Sequence, residues 1–231
     1  MALLPSSAIS VFHFDTDLLD ALGKATITNS GAALSTTQSK FGGRSAYFNH
    51  AINAYIAAVA SSSDIRTVAF WLYHTAYTTT YYPTPICIGP NTDGWRGIYV
   101  HSDVYGSAET PMYAVGNSGD SNWSQTGGST KIPLNAWNHI AITKESTGTF
   151  RFFLNGVLQV TITNASPVVS TRVIIGAHYL SGVGNAFDGY LDELLIATTA
   201  LWTANFTPPT TAYDTPSLFM GQLNNQLFGG V

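Results

Sequence analysis

The chain of 231 residues is 45% hydrophobic but only 10% charged, with a formal net charge of −4. Its length allows one large all-β domain or two small ones, and its apolar content suffices for a sizeable core. The nine Lys and Arg residues form no basic cluster, which excludes the phosphate-neutralising surface of a nucleic-acid-binding protein. Residues 1–5 lack a basic leader pattern, and no stretch approaches the ~18 apolar residues of a membrane span. We therefore expect no signal peptide and no membrane insertion.

Period-two alternation indicates strands through the first half of the chain. The longest segment, residues 67–73, alternates Val68, Phe70 and Leu72 with Ala69, Trp71 and Tyr73. Because both faces are apolar, it is predicted to be a central strand with Trp71 in the sandwich core. Other predicted strands in this half are 10–14, 25–28, 45–49, 54–57, 86–89, 97–101 and 112–115.

The second half of the chain continues the strand pattern. Residues 137–143 alternate with Ile140 and Ile142 predicted inward. Asn155-Gly156 accepts the positive φ of a type I′ turn and predicts a hairpin joining residues 150–154 to 157–162. Further strands are predicted at 172–176 and 190–197. About a dozen short strands without an internal repeat predict one all-β sandwich of two antiparallel sheets.

The two ends of the chain depart from this pattern. We predict an N-terminal extension over residues 1–9, the sandwich domain over 10–213 and an apolar tail over 214–231. The tail is expected to contact another copy of the chain, with a trimer favoured, or another protein. The alternative is that it folds back over an edge of its own sheet. Its large apolar residues are Leu218, Phe219, Met220, Leu223, Leu227 and Phe228.

Groups suited to catalysis are scarce. Retaining glycoside hydrolysis needs two carboxyl groups ~5–5.5 Å apart, yet Glu109, Glu145 and Glu193 are the only glutamates, and none has an acidic residue two positions away. Asp192 and Glu193 are neighbours, and neighbouring side chains point to opposite faces of a strand. The histidines and the single cysteine lack metal-binding spacings. We therefore predict that the protein is not an enzyme.

Three residues that could carry chemistry are predicted to be structural. His13 lies between two phenylalanines, and His139 shares a strand face with Trp137. Cys87 lies in an apolar stretch and is predicted to be buried as a small hydrophobic side chain.

Aromatic residues in loop-like segments are the candidate contacts for a glycan. An exposed ring beside Asn, Asp or Thr combines an apolar face with polar groups that fix a ligand's orientation. The alternative is that each ring caps the core or meets a neighbouring subunit. The candidates are Tyr77, Tyr81, Tyr82, Trp95 and Trp123.

Four phrases along the chain carry a family resemblance: Lys40-Phe-Gly-Gly-Arg-Ser-Ala-Tyr-Phe48, Asn135-Ala-Trp-Asn-His-Ile-Ala-Ile142, Phe150-Arg-Phe-Phe-Leu-Asn-Gly-Val-Leu158 and Phe187-Asp-Gly-Tyr-Leu-Asp-Glu-Leu-Leu-Ile196. In this order they resemble the laminin-G-like branch of the concanavalin A-like lectin/glucanase jelly rolls. The resemblance covers residues 10–213. It implies a jelly-roll sandwich that serves as a surface-binding scaffold far more often than as a catalyst.

Within that branch, three further phrases are similar to laminin-G-like virion proteins of tailed bacteriophages. Trp202 stands where that subgroup usually has Tyr, and Asn49-His50 stands where it has Asp-Gly. The resemblance implies a surface-exposed virion protein of capsid, tail or fibre, made in the host cytoplasm, whose partners are other virion proteins and host-surface glycans. The phrases are His13-Phe-Asp15, Ser39-Lys-Phe-Gly-Gly43 and Leu201-Trp-Thr-Ala-Asn-Phe-Thr-Pro-Pro209.

The same resemblance implies a calcium ion where the first and last strands meet. Asp15 and Asp192 would supply carboxylate oxygens, and Gly42 or Gly43 a carbonyl, as a hard cation prefers. The alternative is that Asp192 accepts backbone hydrogen bonds in a bulge and that Asp15 and Asp17 are turn residues. No other cofactor is expected.

Four functions stay open at this point. They are a virion decoration or fibre protein with a lectin-like domain, a purely structural virion adaptor, a polysaccharide depolymerase and a free secreted lectin. The scarce glutamates argue against the depolymerase, and the missing leader argues against the secreted lectin. A groove lined by exposed aromatic residues would favour the lectin-like virion protein over the adaptor.

Overall fold

A computed structural model describes residues 1–76, 83–89, 98–101, 113–117, 123–127, 130–163, 170–179 and 183–215. These residues form β-strands, one short 3-10 turn at His50–Ile52 and no α-helix. The strands are β1 (Ala8–Phe12), β2 (Thr26–Ser30), β3 (Ala33–Ser35), β4 (Ser45–Phe48), β5 (Tyr55–Val59), β6 (Thr67–His74), β7 (Ile86–Ile88), β8 (Ile98–His101), β9 (Tyr113–Asn117), β10 (Trp123–Gly127), β11 (Trp137–Lys144), β12 (Phe150–Leu154), β13 (Val157–Ile162), β14 (Arg172–Ile175), β15 (His178–Tyr179), β16 (Val183–Gly184) and β17 (Gly189–Ala197).

Two antiparallel sheets form the sandwich. The first sheet runs β13-β12-β11-β6-β17-β4-β3, with β1 also paired to β17. The second sheet runs β10-β9-β8-β7-β14-β5-β2, and β15 and β16 form a separate small ribbon. Both sheets contribute buried side chains to one main core. The predicted all-β sandwich of two antiparallel sheets is confirmed.

Strand β6 is central, as its two apolar faces predict. It pairs with β11 on one side and β17 on the other. Phe70 and Leu72 are fully buried between the sheets, where they meet Ile140 and Phe152 from the neighbouring strands. Alternation along a strand therefore forces Trp71 to the opposite, outer face of the first sheet.

The predicted burial of Trp71 and Phe152 in one sandwich is confirmed, but the inward direction predicted for Trp71 is wrong. Trp71 is only 8% exposed, but it is buried on the outer face rather than between the sheets. Phe41 packs edge-on against it, with ring centroids 6.1 Å apart, and His139 lies 5.2 Å away on β11. A loop crossing the sheet therefore buries an indole that the strand pattern alone assigns to a core.

The hairpin at Asn155-Gly156 forms as predicted. Leu154 pairs directly with Val157, and φ is 50° at Asn155 and 78° at Gly156. The turn is also a packing surface, because the Phe206 amide donates to the Gly156 carbonyl at 2.9 Å. A Cβ at position 156 would overlap the Phe206 carbonyl oxygen.

The segment that follows β17 straps the outer face of the first sheet. Trp202 and Phe206 stack with ring centroids 4.1 Å apart and an interplanar angle of 10°. Both rings meet the edge of His139, at 6.1 and 5.7 Å respectively. Thr143 Oγ1 donates to the Trp202 carbonyl at 2.7 Å, which fixes the strap to β11.

The ends of the described chain meet each other. Ala2 forms a parallel bridge to Tyr213, and β1 begins at Ala8. Residues 216–231 lie outside the described residues, so the assembly role of the tail stays a prediction. Within the described residues, no helix has the length and apolar character needed to cross a membrane.

Three glycine-to-alanine variants test the turn. Gly156→Ala is expected to lower the free energy of unfolding by more than ~1–2 kcal/mol, because it adds a steric overlap to a positive φ. Gly43 has φ 92°, but a Cβ at that position would meet no described atom within 4 Å. Gly43→Ala should therefore lower the free energy of unfolding by only about 1 kcal/mol. Gly184 has neither a positive φ nor a close neighbour in the described structure, so Gly184→Ala should leave the free energy of unfolding unchanged. Denaturant unfolding measures all three, and equal losses at positions 156 and 43 would contradict the packing role of the strap.

His139 generates a pH prediction. Burial, with a smaller effect of the nearby Lys40 charge, lowers the His139 pKa from 6.5 to about 3. A folded-state pKa below the unfolded value means that its stabilising contribution is complete above pH ~6.5 and is lost as pH falls towards 3. His139→Leu should therefore lose stability less steeply than wild type over this window. Parallel curves of unfolding free energy against pH would contradict a neutral buried imidazole.

Candidate functional site

The sequence predicts five aromatic residues as contacts for a glycan. Tyr77, Tyr81, Tyr82 and Trp95 lie outside the described residues, and their role stays a prediction. Trp123 is not in a loop, because its backbone begins β10 and pairs with Asn117. The β10 pairing thus corrects the loop assignment of Trp123.

The structure brings together four other aromatic residues on the outer face of the first sheet. Trp137 on β11 lies directly opposite Tyr73 on β6. Tyr73 lies opposite Tyr190 on β17, and Tyr190 lies opposite Tyr47 on β4. We call this row of four residues on four adjacent strands the aromatic ladder.

The rings of the aromatic ladder touch one another in sequence. Their centroids are 5.6 Å apart for Trp137 and Tyr73, 5.9 Å for Tyr73 and Tyr190, and 5.0 Å for Tyr190 and Tyr47. The first two contacts are edge-to-face, with interplanar angles of 64° and 82°, and the third is tilted at 37°. All four side chains are half-buried, which leaves an apolar surface open to solvent.

Polar groups border the aromatic ladder on both sides. On one side Lys40 Nζ lies 3.8 Å from the centroid of the Trp71 ring, a cation–π contact. On the other side Asp188 accepts the His50 amide at 3.0 Å. Burial raises the Tyr47 pKa, and the Asp188 and Tyr190 side chains raise it further. The Tyr47 hydroxyl therefore stays protonated and can donate a hydrogen bond.

A second group of residues lies where β17 changes partner. β17 pairs with β4 through residues 189–191 and with β1 through residues 194–197. The register shifts between Asp192 and Leu195, and Glu193 has φ 49°. Such a bulge re-aims side chains at the point where pairing changes.

Asp192 is fully buried at this bulge. Its Oδ2 accepts the backbone amides of Lys40 at 2.8 Å and Phe41 at 3.1 Å. Burial raises its pKa to about 7, the two amides oppose this, and the Glu193 and Asp15 carboxylates add to the rise. Asp192 thus accepts backbone hydrogen bonds at a bulge through Oδ2, while its Oδ1 has no hydrogen-bond donor within the described chain.

Asp15 reaches the same loop from the end of β1. Its carboxylate lies against Gly42, where a Cβ would overlap it, and φ at Gly42 is 61°. Burial raises the Asp15 pKa, and the Glu193 carboxylate raises it further, against opposing effects of His13 and Arg44. The structure thus brings Asp15 and Asp192 to one loop, as the calcium prediction requires.

Two carboxylate oxygens at this junction are suited to bind a calcium ion. Asp15 Oδ1 and Asp192 Oδ1 are both buried without a hydrogen-bond donor, and such oxygens suit a hard cation. Glu193 is committed elsewhere, to His13 Nδ1 at 2.6 Å and to the Tyr213 amide at 3.0 Å. Among the described residues no three His, Cys, Asp or Glu side chains converge on a metal position, so backbone carbonyls or water would complete the shell.

The remaining glutamate of the described chain is also paired. Glu145 Oε1 lies 2.8 Å from Arg151 Nη1, while Glu193 holds His13, whose pKa is raised mainly by that hydrogen bond. Glu109 lies outside the described residues. Among the described residues, both glutamates are engaged by a basic side chain. Glycoside hydrolysis instead requires two carboxyl groups that are free to flank the scissile bond.

Comparison with known proteins shows the family to which the chain belongs. The family described as the concanavalin A-like lectin/glucanases superfamily matches residues 25–222. The search of curated proteins returns no match to this sequence.

Solved structures share the fold at low sequence identity. Domain 4 of an extracellular arabinanase from Geobacillus stearothermophilus, in complex with arabinotriose, is 22% identical with a TM-score of 0.65, covering 85% of this chain and 94% of that one. The receptor-binding domain of botulinum neurotoxin type G is 19% identical with a TM-score of 0.61, covering 85% and 49%. A structure of botulinum neurotoxin type C, a toxin whose cell entry depends on interaction with two ganglioside molecules, is 14% identical with a TM-score of 0.63. It covers 85% of this chain and 49% of that one. The chain therefore spans about half of each toxin domain.

Proposed function

Because the chain belongs to the concanavalin A-like lectin/glucanase superfamily, we propose that it is a carbohydrate-binding protein whose contact surface is the aromatic ladder. The observation that carries the proposal is the in-register row of Trp137, Tyr73, Tyr190 and Tyr47 on the open face of the first sheet. A soluble protein rarely presents contiguous aromatic surface without a ligand or partner for it.

The dimensions of the aromatic ladder suit a short oligosaccharide. Adjacent strands are 4.7–4.9 Å apart, so four of them span about 14 Å between the outer rings. Sugar rings carry apolar C–H faces and polar edges, which match aromatic faces bordered by hydroxyl groups. The protonated Tyr47 hydroxyl and the Lys40 ammonium supply donors at the border, and the Asp188 carboxylate supplies an acceptor.

The structural neighbours support this class of ligand. The arabinanase domain was solved with arabinotriose, and the type C neurotoxin interacts with gangliosides. At identities below 25% these similarities concern the fold, and the ligand class of this chain is our proposal.

We propose further that the protein acts on the surface of a bacteriophage particle, as a capsid decoration, tail or fibre component. This rests on the phrases at 13–15, 39–43 and 201–209, which resemble phage virion proteins. Virion proteins would be its partners, host-surface glycans its ligands and a trimer its favoured assembly. A purely structural adaptor is the alternative, in which another virion protein covers the aromatic ladder.

The proposed role is binding without catalysis. The two glutamates that can be described, Glu145 and Glu193, are held by Arg151 and His13. Neither is free to act as the acid or nucleophile of glycoside hydrolysis.

We also propose a structural calcium ion at Asp15 and Asp192. Two acceptor oxygens without donors carry it. Bound there, calcium would supply positive charge to two carboxyl groups whose pKa values are raised by burial and, to a smaller extent, by the neighbouring carboxylates. It would tie the 39–43 loop to β1 and β17.

The aromatic ladder is tested by removing its central rings. Burying about 50 Å² of one ring face at ~25 cal/mol per Å² is worth roughly 1 kcal/mol, or about fivefold to tenfold in affinity. Tyr73→Ala and Tyr190→Ala should each weaken binding of the oligosaccharide that the wild-type chain retains from a panel of arabinotriose, neutral glucans and ganglioside glycans. Isothermal titration calorimetry measures the affinities.

Tyr55→Ala is the matched control for these variants. Tyr55 is also half-buried, but it packs on the second sheet, so its removal should leave affinity unchanged. Equal losses in all three variants, or no glycan bound by wild type, would contradict the ladder as the binding surface. Reducing ends released from the same glycans, and abolished by a carboxylate substitution, would contradict a non-catalytic role.

Calcium is tested by its effect on melting temperature. Excess calcium should stabilise wild type, by ~2.7 kcal/mol at a hundredfold excess over the dissociation constant, and should not stabilise Asp192→Asn. Asp188→Asn keeps the matching change outside the junction and should retain the response. If calcium leaves the melting temperature of wild type equal to that of an EDTA-treated sample, the calcium proposal is contradicted. The proposal of glycan binding would be unaffected by that result.

A further inference from the structure

A polar cavity lies at the end of the first sheet farthest from the aromatic ladder. It has a volume of about 250 Å³ and is lined by Asp64, Arg66, Lys144, Glu145, Ser146, Thr147 and Gly148. Thr67 pairs with Thr143 at this end, whereas Tyr73 pairs with Trp137 at the other. Six residues of extended strand therefore separate the cavity from the aromatic ladder, or about 20 Å.

The cavity is built around the turn between β11 and β12. The Lys144 amide donates to the Arg66 carbonyl at 2.7 Å, which joins the end of β11 to the start of β6. The turn closes through Glu145, whose amide donates to the Thr149 carbonyl at 2.9 Å and whose carbonyl accepts the Gly148 amide at 3.1 Å. The hydroxyl-bearing Ser146 and Thr147 lie exposed at its mouth.

The charges that line the cavity are compensated except for one. Arg66 Nε lies 3.0 Å from both carboxylate oxygens of Asp64. Glu145 is paired with Arg151 at 2.8 Å. Lys144 forms no ion pair in the part of the chain that the structure describes. The four charged residues of the lining (Asp64, Arg66, Lys144 and Glu145) sum to zero, and Arg151, which lies outside the lining but pairs with Glu145, brings the sum to one positive charge.

Among the described residues, Lys144 carries a charge without an ion pair although little of the residue is exposed. The residue is only 6% exposed, and Nζ lies 5.6 Å from the centroid of the Phe150 ring. Burial lowers its pKa, the Asp64 carboxylate opposes that change, and Arg66 reinforces it. Lys144 lines the cavity and has no carboxylate partner in the described chain, so an anion bound there would give the ammonium a charge-assisted contact.

We propose that this cavity binds a small hydroxylated monocarboxylate of the hexuronate class, with its carboxylate on Lys144. One uncompensated charge matches a monoanion, while Asp64 and Glu145 on the walls repel a second negative charge such as that of phosphate. Ser146 and Thr147 offer hydroxyl groups to the hydroxyls of the ligand. The site does not depend on the aromatic ladder.

The experiment titrates the full chain with sodium glucuronate, glucose, sodium lactate and inorganic phosphate by isothermal titration calorimetry. Glucuronate should bind in preference to glucose and phosphate, because only it combines one carboxylate with hydroxyl groups. Weaker binding of lactate shows that the sugar hydroxyls add affinity, whereas equal or tighter binding of lactate overturns the hexuronate class. Lys144→Met keeps the apolar stem against Phe150 and should weaken glucuronate binding about tenfold or more.

Lys131→Met is the matched control, since Lys131 is exposed and outside the cavity lining, and it should bind glucuronate as wild type does. Tyr73→Ala should also bind it normally, which separates this site from the proposed glycan surface. Glucose or phosphate binding as tightly as glucuronate, no saturable glucuronate binding, or unchanged binding by Lys144→Met would each overturn the proposal. The ligand comparison uses the unaltered protein, so it decides the question even if a variant fails to fold.

Discussion

The bulge at Asp192 and Glu193 is the constraint on which the rest of the molecule depends. It lets one strand, β17, pair with β4 over its first half and with β1 over its second. Asp192 then holds the 39–43 loop through two amides, while Glu193 holds His13 and the Tyr213 amide. One irregular position thereby ties the start, the end and a crossing loop of the chain to the centre of the first sheet.

The outer face of the first sheet is covered unevenly as a result. The 39–43 loop buries Trp71, and the strap with Trp202 and Phe206 buries His139. Neither segment reaches the next row along the strands, where the aromatic ladder stays half-exposed. The same packing that completes the sandwich therefore leaves a defined aromatic surface open, which is why we assign binding to it.

The two proposed ligand sites differ in physical character. The aromatic ladder is a half-exposed row of aromatic rings, so it suits the C–H faces of a sugar chain. The cavity at Lys144 is small and polar, with one uncompensated positive charge, so it suits a single acidic group. They occupy opposite ends of one sheet and share no residue, which lets each be removed without disturbing the other.

The sequence by itself determined the sandwich, the Asn155-Gly156 hairpin and the central position of β6, because alternation and turn chemistry act over a few neighbouring residues. It also pointed to Asp15 and Asp192 through a family resemblance. Only the tertiary structure decided that Trp71 is buried outside the core and that Trp137, Tyr73, Tyr190 and Tyr47 form one row. Those residues come from four separate strands, and their alignment depends on the pairing register, which no local pattern specifies.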